Sequence, residues 1–142
     1  MVLKKKFLAQ DRLYMKQTTK EWLTAAEDDL LAAKKLLGED RLTNVVAFHC
    51  QQCLEKCFKA VIEEQGKPSI KSHDLIRLQL NADIQTSESE TNLIEIINEV
   101  YIDARYPGDL GLLPHGKPTT VEVESFIAFC ELFFERLKIQ IN

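Results

Sequence analysis

Residues 43–65 constrain the fold of this chain more than any other segment, because apolar side chains recur around most of a helical circumference. The apolar positions are Val45, Val46, Phe48, Cys50, Cys53, Leu54, Cys57, Phe58, Ala60, Val61 and Ile62. A helix that is apolar on more than one side is buried on more than one side. The pattern therefore predicts a central helix, ended by Gly66 and Pro68, against which the other helices pack.

Two amphipathic helices are predicted from one-sided apolar periodicity, one over residues 19–37 and one over residues 120–139. Each starts with a capping box, in which a Thr hydroxyl and a Glu carboxylate satisfy backbone N–H groups. The two boxes are Thr18 with Glu21 and Thr119 with Glu122. In the helix over residues 120–139, the apolar stripe predicted to face the core consists of Phe126, Phe129, Cys130, Phe133 and Leu137.

A short helix is predicted over residues 74–81, with Leu75, Leu78 and Leu80 directed inward. Asp74 lies in its first turn, where an anion complements the helix dipole.

Residues 91–105 are predicted to form a further helix, flanked by a polar loop over 83–90 and a Gly/Pro-rich loop over 106–118. Its apolar positions are Leu93, Ile96, Ile97, Val100 and Ala104. No segment shows a convincing strand pattern. The predicted fold class is therefore all-α, an antiparallel up-and-down bundle of four to five helices over residues 18–142 with an N-terminal arm, residues 1–17.

The composition limits the partners that we expect. The net charge of −4 and the pI of about 5.4 argue against binding nucleic acid through bulk electrostatics. We therefore expect no DNA partner, and an RNA partner needs a local site. No apolar run has the length of a transmembrane helix or a signal peptide, so we expect a cytoplasmic protein without a membrane partner.

The cysteines of the central segment raise the question of a metal site. Cys50, Cys53 and Cys57 lie close together on one helix, which is not a disulfide framework and fits a reducing compartment. Structural zinc normally takes a second ligand pair from elsewhere in the chain. We interpret the three thiols as small buried apolar side chains, and we predict no metal and no cofactor.

Arg105 is the strongest candidate functional residue, because it ends an apolar helix and is followed by Tyr106 and Pro107. One interpretation is a charge cap, since a cation complements the C-terminal end of the helix dipole. In the other interpretation the guanidinium forms half of a phosphate-handling site with His115 of the following loop.

Four segments resemble the HEPN domain family, and they occur along the chain in the order that the family has. The segment Val46–Ala60 carries a Phe-His-small-Gln-Gln pattern like that of the second HEPN helix, and Trp22–Leu30 is similar to the first. The tripeptides His73-Asp74-Leu75 and Arg105-Tyr106-Pro107 match short motifs of stand-alone prokaryotic members. The resemblance covers about residues 19–139.

This resemblance implies a helical bundle that forms a homodimer and has a minimal nucleotidyltransferase, encoded nearby, as its partner. In many such pairs the HEPN protein is a metal-independent ribonuclease toxin that uses an Arg and a His at the dimer interface. The matching catalytic candidates here are Arg105 and His115, although nine residues separate them, more than the family signature has. In some pairs the nucleotidyltransferase adenylylates a tyrosine that lies between the Arg and the His of the signature. Tyr106 lies between Arg105 and His115, although at a different spacing.

The sequence leaves two functions open. One is RNA cleavage by acid–base chemistry around Arg105 and His115. The other is a non-catalytic module that binds a nucleotide or the nucleotidyltransferase, which the long Arg–His spacing favours. For either function the candidate nucleotide- or RNA-binding residues are Arg105, Tyr106, His49 and His73.

Simpler interpretations of the two histidines also stand. His49 is interpreted as a buried polar side chain that is hydrogen-bonded to a neighbouring helix, and His73 with Asp74 as a helix N-cap.

Overall fold

The computed structural model describes residues 15–105 and 117–141, with side chains as far as residue 101 in the first range. The helices are α1 (Gln17–Leu36), α2 (Thr43–Glu64), α3 (Leu75–Ala82), α4 (Glu88–Arg105) and α5 (Thr120–Ile141), with a 3-10 turn at Asp40–Leu42. No strand occurs in these ranges. The predicted all-α bundle of four longer helices and one short helix is confirmed.

The central position of α2 is confirmed, since α1, α3, α4 and α5 all pack against it. Its small cysteines face α5, where the Cys130 thiol donates a hydrogen bond to the Cys50 carbonyl oxygen at 3.5 Å. Further along the same two helices, the rings of Phe58 and Phe133 pack edge-on, with their centroids 5.4 Å apart. The core therefore surrounds α2, and small side chains let α2 and α5 approach closely within it.

Two of the predicted helix caps are confirmed. Thr119 and Glu122 form the predicted capping box, each accepting the other's backbone N–H on its side chain, at 3.0 and 3.1 Å. Asp74 is the N-cap of α3 and accepts from the Ile76 N–H at 3.0 Å. These caps fix the starts of the helices on both sides of α4.

The predicted capping box of Thr18 and Glu21 is wrong. The first helix begins at Gln17, so Thr18 already lies inside its first turn. Its hydroxyl donates instead to the Glu63 carboxylate of α2, at 2.8 Å, and the Thr19 hydroxyl donates to Glu64 at 2.9 Å. Contacts between helices thus replace the local cap.

Three details around α3 and α4 also differ from the prediction. Leu80 is 77% exposed rather than inward. The helix α4 begins at Glu88, inside the predicted 83–90 loop, because Ser87 and Glu90 form a capping box. The buried side of α4 carries Ile94, Ile97 and Tyr101, whereas Ile96 is 44% exposed.

None of the helices in the described part of the chain is both long enough and apolar enough to cross a membrane.

Candidate functional site

A buried carboxylate on α1 holds the first histidine. Asp29 accepts a hydrogen bond from His49 Nδ1 at 2.8 Å and another from Lys56 Nζ at 2.6 Å, both from α2. The Asp29 side chain is only 10% exposed, while that of His49 is 25% exposed. The prediction that His49 bonds a neighbouring helix is confirmed, and its partner is a charged group rather than a neutral one.

A second buried carboxylate holds the second histidine. Glu55 Oε1 lies 3.0 Å from His73 Nδ1, and Glu55 Oε2 accepts from Lys59 Nζ at 2.9 Å. The Glu55 side chain is 5% exposed and that of His73 is 54% exposed. The predicted cap role is correct for Asp74 alone, since His73 turns back from the loop to α2.

Glutamine side chains complete the surroundings of Glu55. Gln51 Nε2 donates to the His73 carbonyl oxygen at 2.8 Å, and its own Oε1 accepts from Gln52 at 2.7 Å. Both amides also lie 3.3 Å from Glu55 Oε1. The loop before α3 is therefore tied to α2 through the backbone and the ring of His73 together.

The pKa of Glu55 reflects this network. Burial acts to raise the pKa, but the hydrogen bonds from Lys59 and His73 outweigh it, and the pKa lies below the ordinary value for a glutamate. Glu55 is therefore an anion at neutral pH.

The two carboxylates determine which ring nitrogen of each histidine is available. A carboxylate is only an acceptor, so the Nδ1 of His49 and of His73 carries the proton in these contacts. This leaves Nε2 of each imidazole as the nitrogen for an external ligand or proton. The same arrangement, a carboxylate orienting an imidazole, supports proton transfer in many enzymes.

Aromatic rings connect the two histidines into one surface. Phe48 packs edge-on against His49 with centroids 5.3 Å apart, and it stacks on Tyr101 at 5.7 Å. The Tyr101 ring lies 6.2 Å from the ring of His73. Tyr101 is itself buried and links the rings from within, so the surface consists of Phe48, His49 and His73. We call this surface the imidazole face.

Of the two predicted catalytic residues, Arg105 lies on the same helix as Tyr101. Arg105 is the last residue of α4 and follows Tyr101 by four residues, about one helical turn. The Arg105 side chain, Tyr106 and His115 lie outside the described residues. Their predicted roles in catalysis and in binding therefore stay predictions.

The thiols next to the site are buried and packed. Cys50, Cys53, Cys57 and Cys130 have no exposed surface. Burial raises the pKa of the Cys130 thiol well above its ordinary value, so it stays protonated and donates to the Cys50 carbonyl. Among the described residues no group of three His, Cys, Asp or Glu side chains is arranged to hold a metal ion.

Sequence reasoning missed four members of the site: Asp29, Phe48, Glu55 and Tyr101. A signal for Asp29 was present, because it lies on the buried stripe of α1 beside Ala26 and Leu30. A charged residue in an apolar stripe indicates a buried ion pair. No comparable signal marks Tyr101, whose ring contacts depend on how α4 packs.

This fold occurs in solved structures of other proteins. The structure of TT1696 from Thermus thermophilus matches with a TM-score of 0.73 and 21% identity, over 87% of this chain and 98% of that one. ST0689, an archaeal HEPN homologue, matches with a TM-score of 0.67 and 20% identity, also over 87% and 98%. A search of curated proteins finds no match. The sequence profile of the HEPN domain matches residues 19–140, and the chain therefore belongs to the HEPN family.

Proposed function

We propose that this HEPN protein binds the phosphodiester backbone of RNA, or the phosphates of a nucleotide, at the imidazole face. The observation that supports the proposal is the pair of imidazoles, His49 and His73, each fixed through Nδ1 by a buried carboxylate. The free Nε2 of a protonated imidazole is a donor suited to phosphate oxygens, and Phe48, which is 37% exposed, offers ring surface against which a base can stack.

The local charge balance supports the same proposal in an acidic protein. Each buried carboxylate is offset by a lysine, Asp29 by Lys56 and Glu55 by Lys59. The charges beside the two imidazoles therefore balance locally, although the whole chain carries −4. Binding at this face does not require a basic protein, because the charge is local.

Fluorescence anisotropy with a labelled single-stranded RNA tests this proposal. We expect His49→Gln and His73→Gln each to weaken binding about ten- to a hundredfold, the loss of one charge-assisted hydrogen bond. Lys20→Gln is the matched control, because it removes a cation at an exposed position of α1 away from the face. Equal affinity for the wild type and both histidine variants would contradict the proposal.

RNA cleavage is the second candidate function, and the fixed tautomers favour it. In its neutral form each imidazole presents Nε2 as a base that can take a proton from a 2′-hydroxyl. Arg105 at the end of α4 is the candidate for stabilising charge on the scissile phosphate. We expect cleavage in the presence of EDTA that Arg105→Ala abolishes, and equal trace cleavage by both proteins would eliminate this function.

We further propose that the chain works as one component of a two-protein module with a minimal nucleotidyltransferase. Membership of the HEPN family supports this pairing. Co-purification of this chain with the product of an adjacent nucleotidyltransferase reading frame tests it. Absence of any such complex, with both proteins folded, would remove the pairing and leave the RNA-binding proposal intact.

A further inference from the structure

A cavity of about 520 Å³ lies where the C-terminal ends of α2, α3 and α5 meet. Its apolar lining comes from Val61 of α2, Ala82 of α3, Ile84 just after α3, and Ile141 of α5. The volume falls within the range of pockets that bind a ligand or a side chain. Apolar atoms that line an open cavity lack packing partners on one side, so an apolar occupant would stabilise this end of the bundle.

The rim of this cavity carries more negative than positive charge. Glu64 and Asp83 each contribute a carboxylate. The Arg136 guanidinium lies on the same rim, but it is paired with the Glu90 carboxylate at 2.5 Å. The cavity therefore fits an occupant that combines apolar side chains with cations.

The described part of the chain starts beside this rim. The Lys16 backbone N–H donates to the Glu64 carboxylate at 3.2 Å, and Lys16 Nζ donates to the Glu63 carbonyl oxygen at 2.9 Å. The Thr19 hydroxyl donates to the same Glu64 oxygen at 2.9 Å. Glu64 thus both lines the cavity and holds the start of α1. Residues 1–14, which we call the N-terminal segment, therefore join the bundle at the edge of the cavity.

The composition of the N-terminal segment complements the cavity. Its large apolar residues are Val2, Leu3, Phe7, Leu8, Leu13 and Tyr14. Its charged residues are the cations Lys4, Lys5, Lys6 and Arg12 and the anion Asp11. Four cations and one anion give these side chains a net charge of +3, opposite in sign to the rim. An apolar pair, Phe7 and Leu8, directly follows the three lysines.

We propose that the N-terminal segment of the same chain occupies this cavity and places Phe7 and Leu8 against its apolar lining. The three lysines before Phe7 then lie at the acidic rim. The eight residues from Leu8 to Lys16 span about 26 Å when extended and about 12 Å when helical. A sphere of 520 Å³ is about 10 Å across, so either length is enough to reach the cavity from Lys16.

This contact leaves the imidazole face open. Val61 follows His49 by twelve residues on α2, which places the cavity about 18 Å further along the helix. The proposal therefore does not depend on RNA binding. The N-terminal segment precedes the residues that match the HEPN profile, so the contact adds to the family fold an element that closes one end of the bundle.

Disulfide trapping in the full chain tests the contact. Leu8→Cys is combined with Gln85→Cys, at an exposed position on the cavity rim, in a glutathione redox buffer. The four native thiols are buried and should not react. The control pairs Leu8→Cys with Glu124→Cys, an exposed position on α5 twelve residues before Arg136 and about 18 Å from the rim.

We expect the Gln85 pair to form its disulfide within one chain at least about tenfold faster than the Glu124 pair, because docking raises the effective concentration at the rim. Equal rates for the two pairs would overturn the proposal. A Gln85 disulfide that forms only between two chains would also overturn it, since the occupant would then be the segment of a second copy.

Binding of the neutral apolar dye Nile red tests whether the cavity is covered. If the segment occupies the cavity nine-tenths of the time, the double variant Phe7→Ser, Leu8→Ser should bind the dye about tenfold more tightly than the wild type. The same variant should melt about 5 °C lower. Val121→Ser is the matched control, because Val121 is 74% exposed at the other end of α5 and should change neither quantity. Equal dye affinity and equal melting temperature in the wild type and the double variant would overturn the proposal.

Discussion

Replacing Glu55 by glutamine tests whether the negative charge of the buried Glu55 carboxylate stabilises the structure that carries the imidazole face. Glu55→Gln keeps the side-chain shape and the oxygen that His73 contacts, but it sets an amide N–H₂ group against the Lys59 ammonium. The lost contact is a hydrogen bond between charged groups, and such bonds contribute about 1.5–3 kcal/mol. Solvent screening reduces this value only slightly, because the side chains of Glu55 and Lys59 are only 5% and 15% exposed.

The pH dependence of that loss gives a sharper test. The folded-state pKa of Glu55 lies below its ordinary value of 4.5, so the unfolded chain binds the proton first as the pH falls. The stability that the carboxylate contributes is therefore complete above pH 4.5, and it declines as the pH falls through the folded pKa. The difference between the wild type and Glu55→Gln should shrink over that same range.

Urea denaturation followed by circular dichroism, at pH 7 and at steps below pH 4.5, measures both effects. Glu95→Gln serves as the control, because Glu95 is an exposed carboxylate on α4 that should not matter to stability at either pH. An unchanged free energy of unfolding for Glu55→Gln at pH 7 would refute the reasoning. So would a loss of the same size at every pH.

Three further predictions concern the bundle that carries the site. Phe133→Ala should lower the free energy of unfolding by about 3–5 kcal/mol in denaturant titrations, because Phe133 is fully buried against Phe58; a loss below about 1 kcal/mol would contradict this packing. Asp74→Ala should cost about 1 kcal/mol through the lost N-cap of α3, whereas Asp74→Asn should cost much less. A thiol reagent should label none of the four cysteines in the folded protein and all four after denaturation, and rapid labelling of the native protein would contradict their burial.

Local sequence signals predicted most of the fold. The wrap-around apolar pattern of residues 43–65 identified the central helix, and the Thr119–Glu122 box identified the start of α5. These succeeded because a helix period and a capping box involve residues within a few positions of each other. The prediction started α4 at residue 91, whereas the helix begins at Glu88. This error was avoidable, since Ser87 and Glu90 have the same spacing as the Thr119–Glu122 capping box.

The errors arose where tertiary contacts compete with local ones. Thr18 has the sequence of a helix cap, but Glu63 of α2 offers its hydroxyl a better-placed partner. Leu80 continues the apolar pattern of α3, yet this helix is only eight residues long and buries only one side. Neither outcome follows from sequence spacing alone.

The two histidines of the candidate site were predictable, but the residues that hold and connect them were mostly not. His49 and His73 were identified from the sequence, and Asp29 could have been, from its position in an apolar stripe. The contact of His73 with Glu55 joins residues 18 positions apart across a loop, and that of Phe48 with Tyr101 joins α2 to α4. Such contacts depend on how helices pack, which a single sequence does not specify.

The most direct test of the imidazole face follows the histidine side chains by NMR during titration with a short single-stranded RNA. The chain has only three histidines, so single His→Gln variants assign every imidazole signal. We predict that RNA shifts the ring signals of both His49 and His73, and that an acidic peptide of equal charge shifts neither. RNA that binds while leaving both signals in place would contradict the account.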